Sequence, residues 1–227
     1  MADASDDEPL VTALLRFVAS PGADYAGHTA QYVSLCAASL AVAVVLGIAA
    51  GAAAAHRPVL AFLAVNASGI ARAVPIIAFL AFAVPYLGLG FLPAFVALVL
   101  LGIPPVLLNT WAGLRGIDPS VIDAARGTGM TGRQIALRIQ APLVLPAVAS
   151  GARTSAVQII ATATLAAIIG AGGYGDYILA GLYQVDMTQI LAGTVPVSAL
   201  ALLAELGMGA VERRLTPPGM RIAAAQA

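Results

Sequence analysis

Long apolar stretches separated by short polar connections dominate this sequence. They fall at about 29–52, 59–84, 90–110, 142–169 and 189–211. A helix needs about 20 mostly apolar residues to cross a bilayer, so each stretch is predicted to be a membrane-spanning helix. The second stretch contains Arg72 and Pro75, and is predicted to be a broken or short helix because proline removes a backbone hydrogen-bond donor. The pattern predicts an all-α membrane protein with about five transmembrane helices.

Composition supports this class and excludes others. Apolar residues make up 60% of the 227 residues and charged residues 10%, with a mean hydropathy of +0.94. Soluble domains are typically about 45–50% apolar and about 25% charged, so a soluble enzyme is excluded. The formal net charge is +0, which argues against nucleic-acid binding. Cys36 is the only cysteine and is expected to be small apolar filler within a helix.

The arginines predict the orientation in the membrane. All 11 basic residues are arginine, and most fall in connections on one side if the 111–141 connection is cytoplasmic. Cytoplasmic loops favour basic residues, so the N-terminus is expected outside and the C-terminus in the cytoplasm of a bacterial cell. The first 24 residues are acidic and lack the basic start of a secretory signal, so the first span is predicted to stay in the protein. The predicted organisation is an extracytoplasmic segment 1–24, a membrane domain 25–215 and a cytoplasmic tail 216–227.

The 111–141 connection is the long polar one, and its pattern predicts two short helices. Asp118 followed by Pro119 is typical of a helix start, and the helix is predicted over Ser120–Arg126. Gly127 or Gly129 can end it, because glycine tolerates left-handed backbone. Thr131 and Gln134 fit a capping box for a second helix over 132–141. The loop is either a solvated connection or a docking element whose small residues let another protein approach closely.

The same loop resembles the EAA loop of ABC importer permeases. The segment Asp123–Thr131 has two alanines, then a glycine four residues after the second, and a proline-containing helix start at Pro142. It departs from that pattern by Asp123 in place of glutamate. The resemblance implies a type I importer permease fold in which the short helix couples to a separate ATPase subunit. The implied contact residues are Asp123, Ala124, Ala125, Arg126, Gly127, Gly129, Met130 and Thr131.

Three further segments are similar to the osmoprotectant branch of these permeases, which serves glycine betaine, choline, carnitine and proline-type compounds. They are Asn109–Leu114, Gly151–Ala156 and Ile169–Gly175. The resemblance implies four kinds of neighbour: ABC ATPase subunits, a second permease chain, an extracytoplasmic solute-binding protein and the lipid bilayer. It implies no cofactor in this chain, with ATP and Mg on the ATPase, which agrees with the absence of lysine and hence of a phosphate-binding P-loop.

Ionisable residues inside the predicted spans mark a candidate pathway. An intramembrane charge usually faces the bundle interior or water, so Arg72 and Glu205 are candidates for the pathway or its gate, together with Pro75 and Asn109, and Arg72 is a candidate partner of Glu205. The glycine-rich segment 170–175 is predicted to be a tight external turn rather than a nucleotide site, because it follows an apolar helix instead of a strand.

Three alternatives stay open at this point. The chain could serve another small solute such as an amino acid. It could be a proton- or ion-coupled secondary transporter using Glu205 and Arg72, although the 227 residues have no paired halves of the kind such transporters often contain. It could also be a membrane scaffold that transports nothing. No arrangement of nucleophile and base predicts an enzyme.

Overall fold

The computed structural model describes residues 10–216, and every regular element in that range is helical. The acidic residues Asp3, Asp6, Asp7 and Glu8, and positions 217–227 of the predicted tail, lie outside the described residues. The α-helices are α1 Leu10–Ala19, α2 Tyr25–His56, α3 Pro58–Ala73, α4 Ile76–Leu87, α5 Phe91–Arg115, α6 Pro119–Gly127, α7 Gly132–Ile135, α8 Ala141–Ala163, α9 Tyr174–Gln184 and α10 Met187–Leu215. Short 3-10 helices occupy Pro21–Ala23 and Thr164–Ile169, and a π-helix occupies Ala136–Gln140.

Within the described residues, four helical stretches are long and apolar enough to cross a membrane: α2, α5, the continuous stretch Gly132–Ile169, and α10. The pair α3 and α4 makes a fifth if it is taken as one broken span. The prediction of about five transmembrane helices is therefore confirmed. Most observed ends lie a few residues outside the predicted ones, and the fourth stretch starts at Gly132, well before the predicted start at 142.

The break in the second span lies where the sequence predicts it. Val74 and Pro75 have extended backbone, with ψ of 120° and 130°, and separate α3 from α4. Pro75 has no N–H to donate, and its ring disfavours helical backbone at the preceding residue. The Val74 N–H still donates to the Ile70 carbonyl at 3.2 Å, which closes the last turn of α3.

The predicted end of a helix at Ala141 is wrong. The helix that starts at Gly132 continues through the π-helix Ala136–Gln140 directly into α8. Pro142 supplies the physical reason, because its ring would clash with the carbonyl four residues earlier in a regular α-helix. The wider π-turn, in which the Ala141 N–H donates to the Ala136 carbonyl, accommodates the proline without ending the helix.

Two helices lie in segments for which none was predicted. Helix α1 falls inside the acidic segment 1–24, and α9 follows the glycine turn. The turn itself is confirmed, because Gly170, Gly172 and Gly173 all have positive φ. The buried residues of α9 include Tyr174, Tyr177 and Gly181, which recur at helical spacing, so α9 is held by one face rather than by overall hydrophobicity.

The chain divides into two compact units. Of the described residues, the first comprises 10–39, Pro75–Leu98 and Ile159–Leu202. Its centre is a cluster of four tyrosines from α2 and α9: Tyr25, Tyr32, Tyr174 and Tyr177. Their hydroxyls are all hydrogen-bonded, for example Tyr25 to the Ala192 carbonyl at 2.9 Å and Tyr174 with Thr29 at 2.8 Å. The aromatic faces pack against one another, so this cluster anchors α9.

Of the described residues, the second unit comprises Leu40–Val74, Val99–Gln158 and 203–216. Glycines make its helices approach closely. A Cβ on Gly51 of α2 would lie 2.6 Å from the Leu107 carbonyl oxygen of α5, and one on Gly151 of α8 would lie 2.8 Å from the Pro105 carbonyl oxygen. Membrane helices use small residues in this way to bring backbones together. These glycines serve packing within the chain.

Candidate functional site

The polar loop between α5 and α8 begins with the predicted cap. The Asp118 carboxylate accepts the Ser120 N–H at 2.8 Å, and Pro119 occupies the first helical position of α6. This hydrogen bond lowers the pKa of the Asp118 carboxyl below its usual range, because it favours the charged form. The negative charge also suits the start of a helix, where backbone N–H groups lack intrahelical partners.

The last residue of α6 is Gly127, and the glycine with left-handed backbone that caps this helix end is Gly129. Gly129 has a φ of 82°, in the left-handed region that favours glycine. The Met130 N–H donates to the Ala125 carbonyl at 3.2 Å, and the Gly129 N–H donates to the Arg126 carbonyl at 2.9 Å. This pair of bonds is the Schellman motif, and it satisfies carbonyls that the helix end leaves open.

The predicted capping box follows at once. The Gln134 N–H donates to the Thr131 hydroxyl at 3.4 Å, and the Thr131 N–H donates to the Gln134 side-chain oxygen at 2.8 Å. Thr131 is therefore the N-cap of α7, which runs on through the π-helix into α8. Only four residues, 128–131, connect α6 to the helical stretch that continues into α8, and their backbone is hydrogen-bonded at both ends.

The two alanines of the loop have opposite environments. Ala124 is exposed, whereas Ala125 is 7% exposed and faces the chain itself. Asp123 and Arg126 are exposed as well, and their side chains form an ion pair at 3.2 Å. Gly127, Gly129 and Thr131 are exposed, and Met130 is half-buried. The outward surface of α6 therefore consists of small residues flanked by charges, and Ala125 is the residue that seats the helix.

The candidate partner of Glu205 is corrected by the structure. Glu205, on α10, pairs with Arg153 of α8, and the other terminal nitrogen of Arg153 donates to Glu212 at 3.2 Å. These side chains are between a quarter and two fifths exposed. The pairing of Glu205 with Arg72 was wrong because sequence alone did not indicate which helix faces α10. Arg153 lies within the predicted span 142–169, and nothing in the sequence places it opposite Glu205.

The remaining pathway candidates are not brought into one cluster with Glu205. The Asn109 side-chain amide donates to the Pro105 carbonyl at 2.8 Å, one turn back on its own helix. Arg72 is exposed near the end of α3, and Pro75 caps α4. Among residues 10–216, no group of three or more histidine, cysteine, aspartate or glutamate side chains is placed to hold a metal ion. Cys36 is buried and free, as expected of a packing residue.

We expect the ion-pair cluster to stabilise the second unit. Replacing Arg153 by methionine leaves Glu205 and Glu212 without their cation, and we expect the unfolding temperature of the purified chain in detergent to fall by about 5 °C. Partial exposure keeps the loss below that of a fully buried pair. The exchange Arg153→Glu with Glu205→Arg restores one pair of opposite charges but places a carboxylate beside Glu212, so it should recover only part of the loss. Arg57→Met, on an exposed arginine, is the matched control; an equal fall there would contradict the assignment.

Comparison with known proteins agrees with this geometry. Residues 43–217 match the family described as "Binding-protein-dependent transport system inner membrane component". A carnitine transport permease of Listeria monocytogenes, OpuCB, is 37% identical over 209 residues, covering 92% of this chain and 96% of that protein. A glycine betaine/carnitine/choline permease of Bacillus subtilis, also named OpuCB, is 32% identical over 208 residues with the same two coverages. A choline permease of Bacillus subtilis, OpuBB, is 41% identical over 141 residues, covering 62% of this chain and 65% of that protein.

Solved structures share the fold at lower identity. An inward-facing structure of the MetNI methionine ABC transporter matches with a TM-score of 0.72 and 20% identity, covering 92% of this chain and 99% of its own. An amino acid ABC transporter with histidines matches with a TM-score of 0.65 and 17% identity, covering 84% and 93%. The architecture of this chain is therefore that of type I ABC importer permeases. The family model covers most of the sequence, and the chain belongs to the binding-protein-dependent transport system inner membrane components.

Proposed function

We propose that this chain is the permease subunit of an ATP-driven ABC importer for quaternary-amine osmoprotectants such as glycine betaine, choline and carnitine. The observation that carries the ATP-driven part is the capped loop of α6 and α7. It presents small residues outward on a helix that is seated by Ala125 and joined to α8. The cargo class is supported by two relatives that match over more than nine tenths of this chain, a carnitine permease and a glycine betaine/carnitine/choline permease.

In the proposed mechanism the loop between α5 and α8 passes movement of the ATPase subunits to the membrane helices. ATPase subunits bind against Asp123, Ala124, Arg126, Gly127, Gly129, Met130 and Thr131, and their closure on ATP moves α6. The helix α7 and the π-helix carry this movement into α8, and the Arg153 ion pairs carry it from α8 to α10. Two permease chains enclose the pathway, and a solute-binding protein delivers the cargo. Such a cycle is a two-state equilibrium biased by a ligand at a distant site.

In this proposal the N-terminus lies outside the bacterial plasma membrane and the loop lies in the cytoplasm, where ATP is available. The arginine content of the loop and of the end of α10 supports that orientation. The proton-coupled alternative is weaker, because the Glu205 carboxylate is occupied by Arg153. A proton carrier needs a carboxyl group that gains and loses its proton during the cycle, and a cationic partner stabilises the charged form.

The test is uptake of labelled glycine betaine and choline into proteoliposomes that hold the chain with its co-purified ATPase, supplied with the solute-binding protein outside. We expect uptake only when ATP is enclosed, and mutual competition between the two solutes. Uptake of neither solute by a complex with an active ATPase would overturn the cargo assignment. Uptake driven by a proton gradient without the ATPase would overturn the ATP-driven assignment.

A further inference from the structure

Arg72 is the one charged residue between Pro58 and Leu114. Within the broken span it has fourteen residues before it, 58–71, and fifteen after it, 73–87. An arginine in this position is far from both ends of the apolar stretch. It cannot be assigned to an interfacial loop by its place in the sequence.

The Arg72 guanidinium has no charged partner in the described part of the chain. Its Nε donates to the Ser68 carbonyl at a long 3.4 Å, and no carboxylate of residues 10–216 lies within ion-pair distance. The residue is exposed. Gly69, one turn earlier on α3, has open space around it, because a Cβ placed there would meet nothing within 4 Å. The charged group therefore stands beside unoccupied space rather than in a packed core.

An arginine side chain and non-helical backbone both cost free energy in lipid, and both lie at the end of α3. An arginine in the membrane is costly in lipid, and such residues face a bundle interior or a water-filled cavity. Backbone that leaves the helix, as at Val74 and Pro75, is tolerated at membrane depth only where it is covered by protein or lines water. Both features occur within four residues of each other, so we expect the end of α3 to be covered by protein or to line water rather than to face lipid.

We infer that Arg72 recognises the carboxylate of a zwitterionic cargo, and so favours glycine betaine and carnitine over choline. This inference rests on the proposed quaternary-amine importer. A fixed guanidinium repels a cationic ammonium group, so its presence on the pathway of a pure cation would slow transport. A betaine carries a carboxylate that compensates, and arginine binds carboxylates through two parallel hydrogen bonds. Choline has the same ammonium group and no carboxylate.

The test compares initial uptake rates of glycine betaine and choline at saturating, cargo-loaded binding protein, so that capture affinity does not enter. We expect Arg72→Gln to lower the ratio of betaine to choline uptake by about tenfold or more, through loss of a charge-assisted hydrogen bond. Arg72→Lys keeps the positive charge but cannot donate two parallel hydrogen bonds to a carboxylate, so it should give an intermediate ratio of betaine to choline uptake. Arg57→Gln removes a positive charge just before α3 and should leave the ratio unchanged.

The outcomes separate this inference from the proposed function. If both rates fall by the same factor in Arg72→Gln, or if neither changes, Arg72 does not recognise the carboxylate. If the wild-type complex carries choline but not betaine, the inference is overturned while the proposed importer stands. If it carries neither solute despite an active ATPase, the cargo assignment fails and the inference fails with it.

Discussion

Replacing Ala124 by tryptophan is expected to lower ATP-driven uptake at least 100-fold while the chain still folds. Ala124 is exposed on α6, so the larger side chain meets no other part of the described chain. On the proposed contact surface, however, an indole holds the ATPase away from the helix. A clash spread over a docking surface costs several kcal/mol, and about 2.8 kcal/mol already corresponds to 100-fold.

The measurement for Ala124→Trp is uptake of labelled cargo together with the amount of ATPase that co-purifies with the chain. The matched control is Ala26→Trp, which places the same side chain on an exposed alanine in the first turns of α2. We expect the control to keep both uptake and ATPase recovery. Normal uptake by the Ala124 variant would sink the assignment of α6 as the coupling element. Ala125 is unsuitable for this test because it is buried, and a larger residue there would disturb the seat of the helix.

Replacing Gly51 by leucine is expected to abolish recovery of folded protein. A Cβ at this position would lie 2.6 Å from the Leu107 carbonyl oxygen and 2.7 Å from the Thr110 Cβ, and neither is the far end of a flexible side chain. The helices α2 and α5 must separate to admit the new atoms, with a loss of about 3 kcal/mol or more. Native proteins are stable by only about 5–15 kcal/mol, so a loss of this size is a large fraction of the total.

The yield of monodisperse protein on size-exclusion chromatography and the unfolding temperature in detergent measure this effect. Gly207→Leu is the matched control, because a Cβ on this glycine of α10 would meet nothing within 4 Å. Leucine also favours a helix over glycine by about 0.8 kcal/mol, so the control should be at least as stable as the wild type. An equally stable Gly51→Leu protein would show that the close approach of α2 and α5 is not needed for the fold.

The spans and the loop could be predicted because each depends on local rules. A mostly apolar run of about 20 residues indicates a span whatever its neighbours are, and Asp118, Gly129 and Thr131 act on backbone groups within a few residues. The π-helix before Pro142 does not follow from the rule that proline ends a helix, because a helix can also widen around a proline. Helix α9 was missed because its buried face depends on tyrosines that pack against α2, far away in the sequence.

Two features could be known only from the structure: which side chains form ion pairs, and which residues of the loop motif face outward. The sequence contains Arg72, Arg153 and Glu205 without any indication of which helices face each other, and only Arg153 lies opposite Glu205. The same holds for Ala124 and Ala125, which are adjacent in the motif yet exposed and buried respectively. A motif shows which residues are used, whereas helix rotation decides which of them reach a partner.

The caps of the loop also bear on how such transporters can change. The capping hydrogen bonds of this loop all join residues within 118–134. They are made by Asp118, by the Schellman motif at Gly129 and by the capping box of Thr131 and Gln134, so the shape of this segment depends little on the spans that flank it. If α6 is the ATPase contact proposed above, substitutions on its outward face would change recognition of an ATPase without repacking the membrane helices. ATPase recognition could then diverge along this chain while the packing of the spans stays the same.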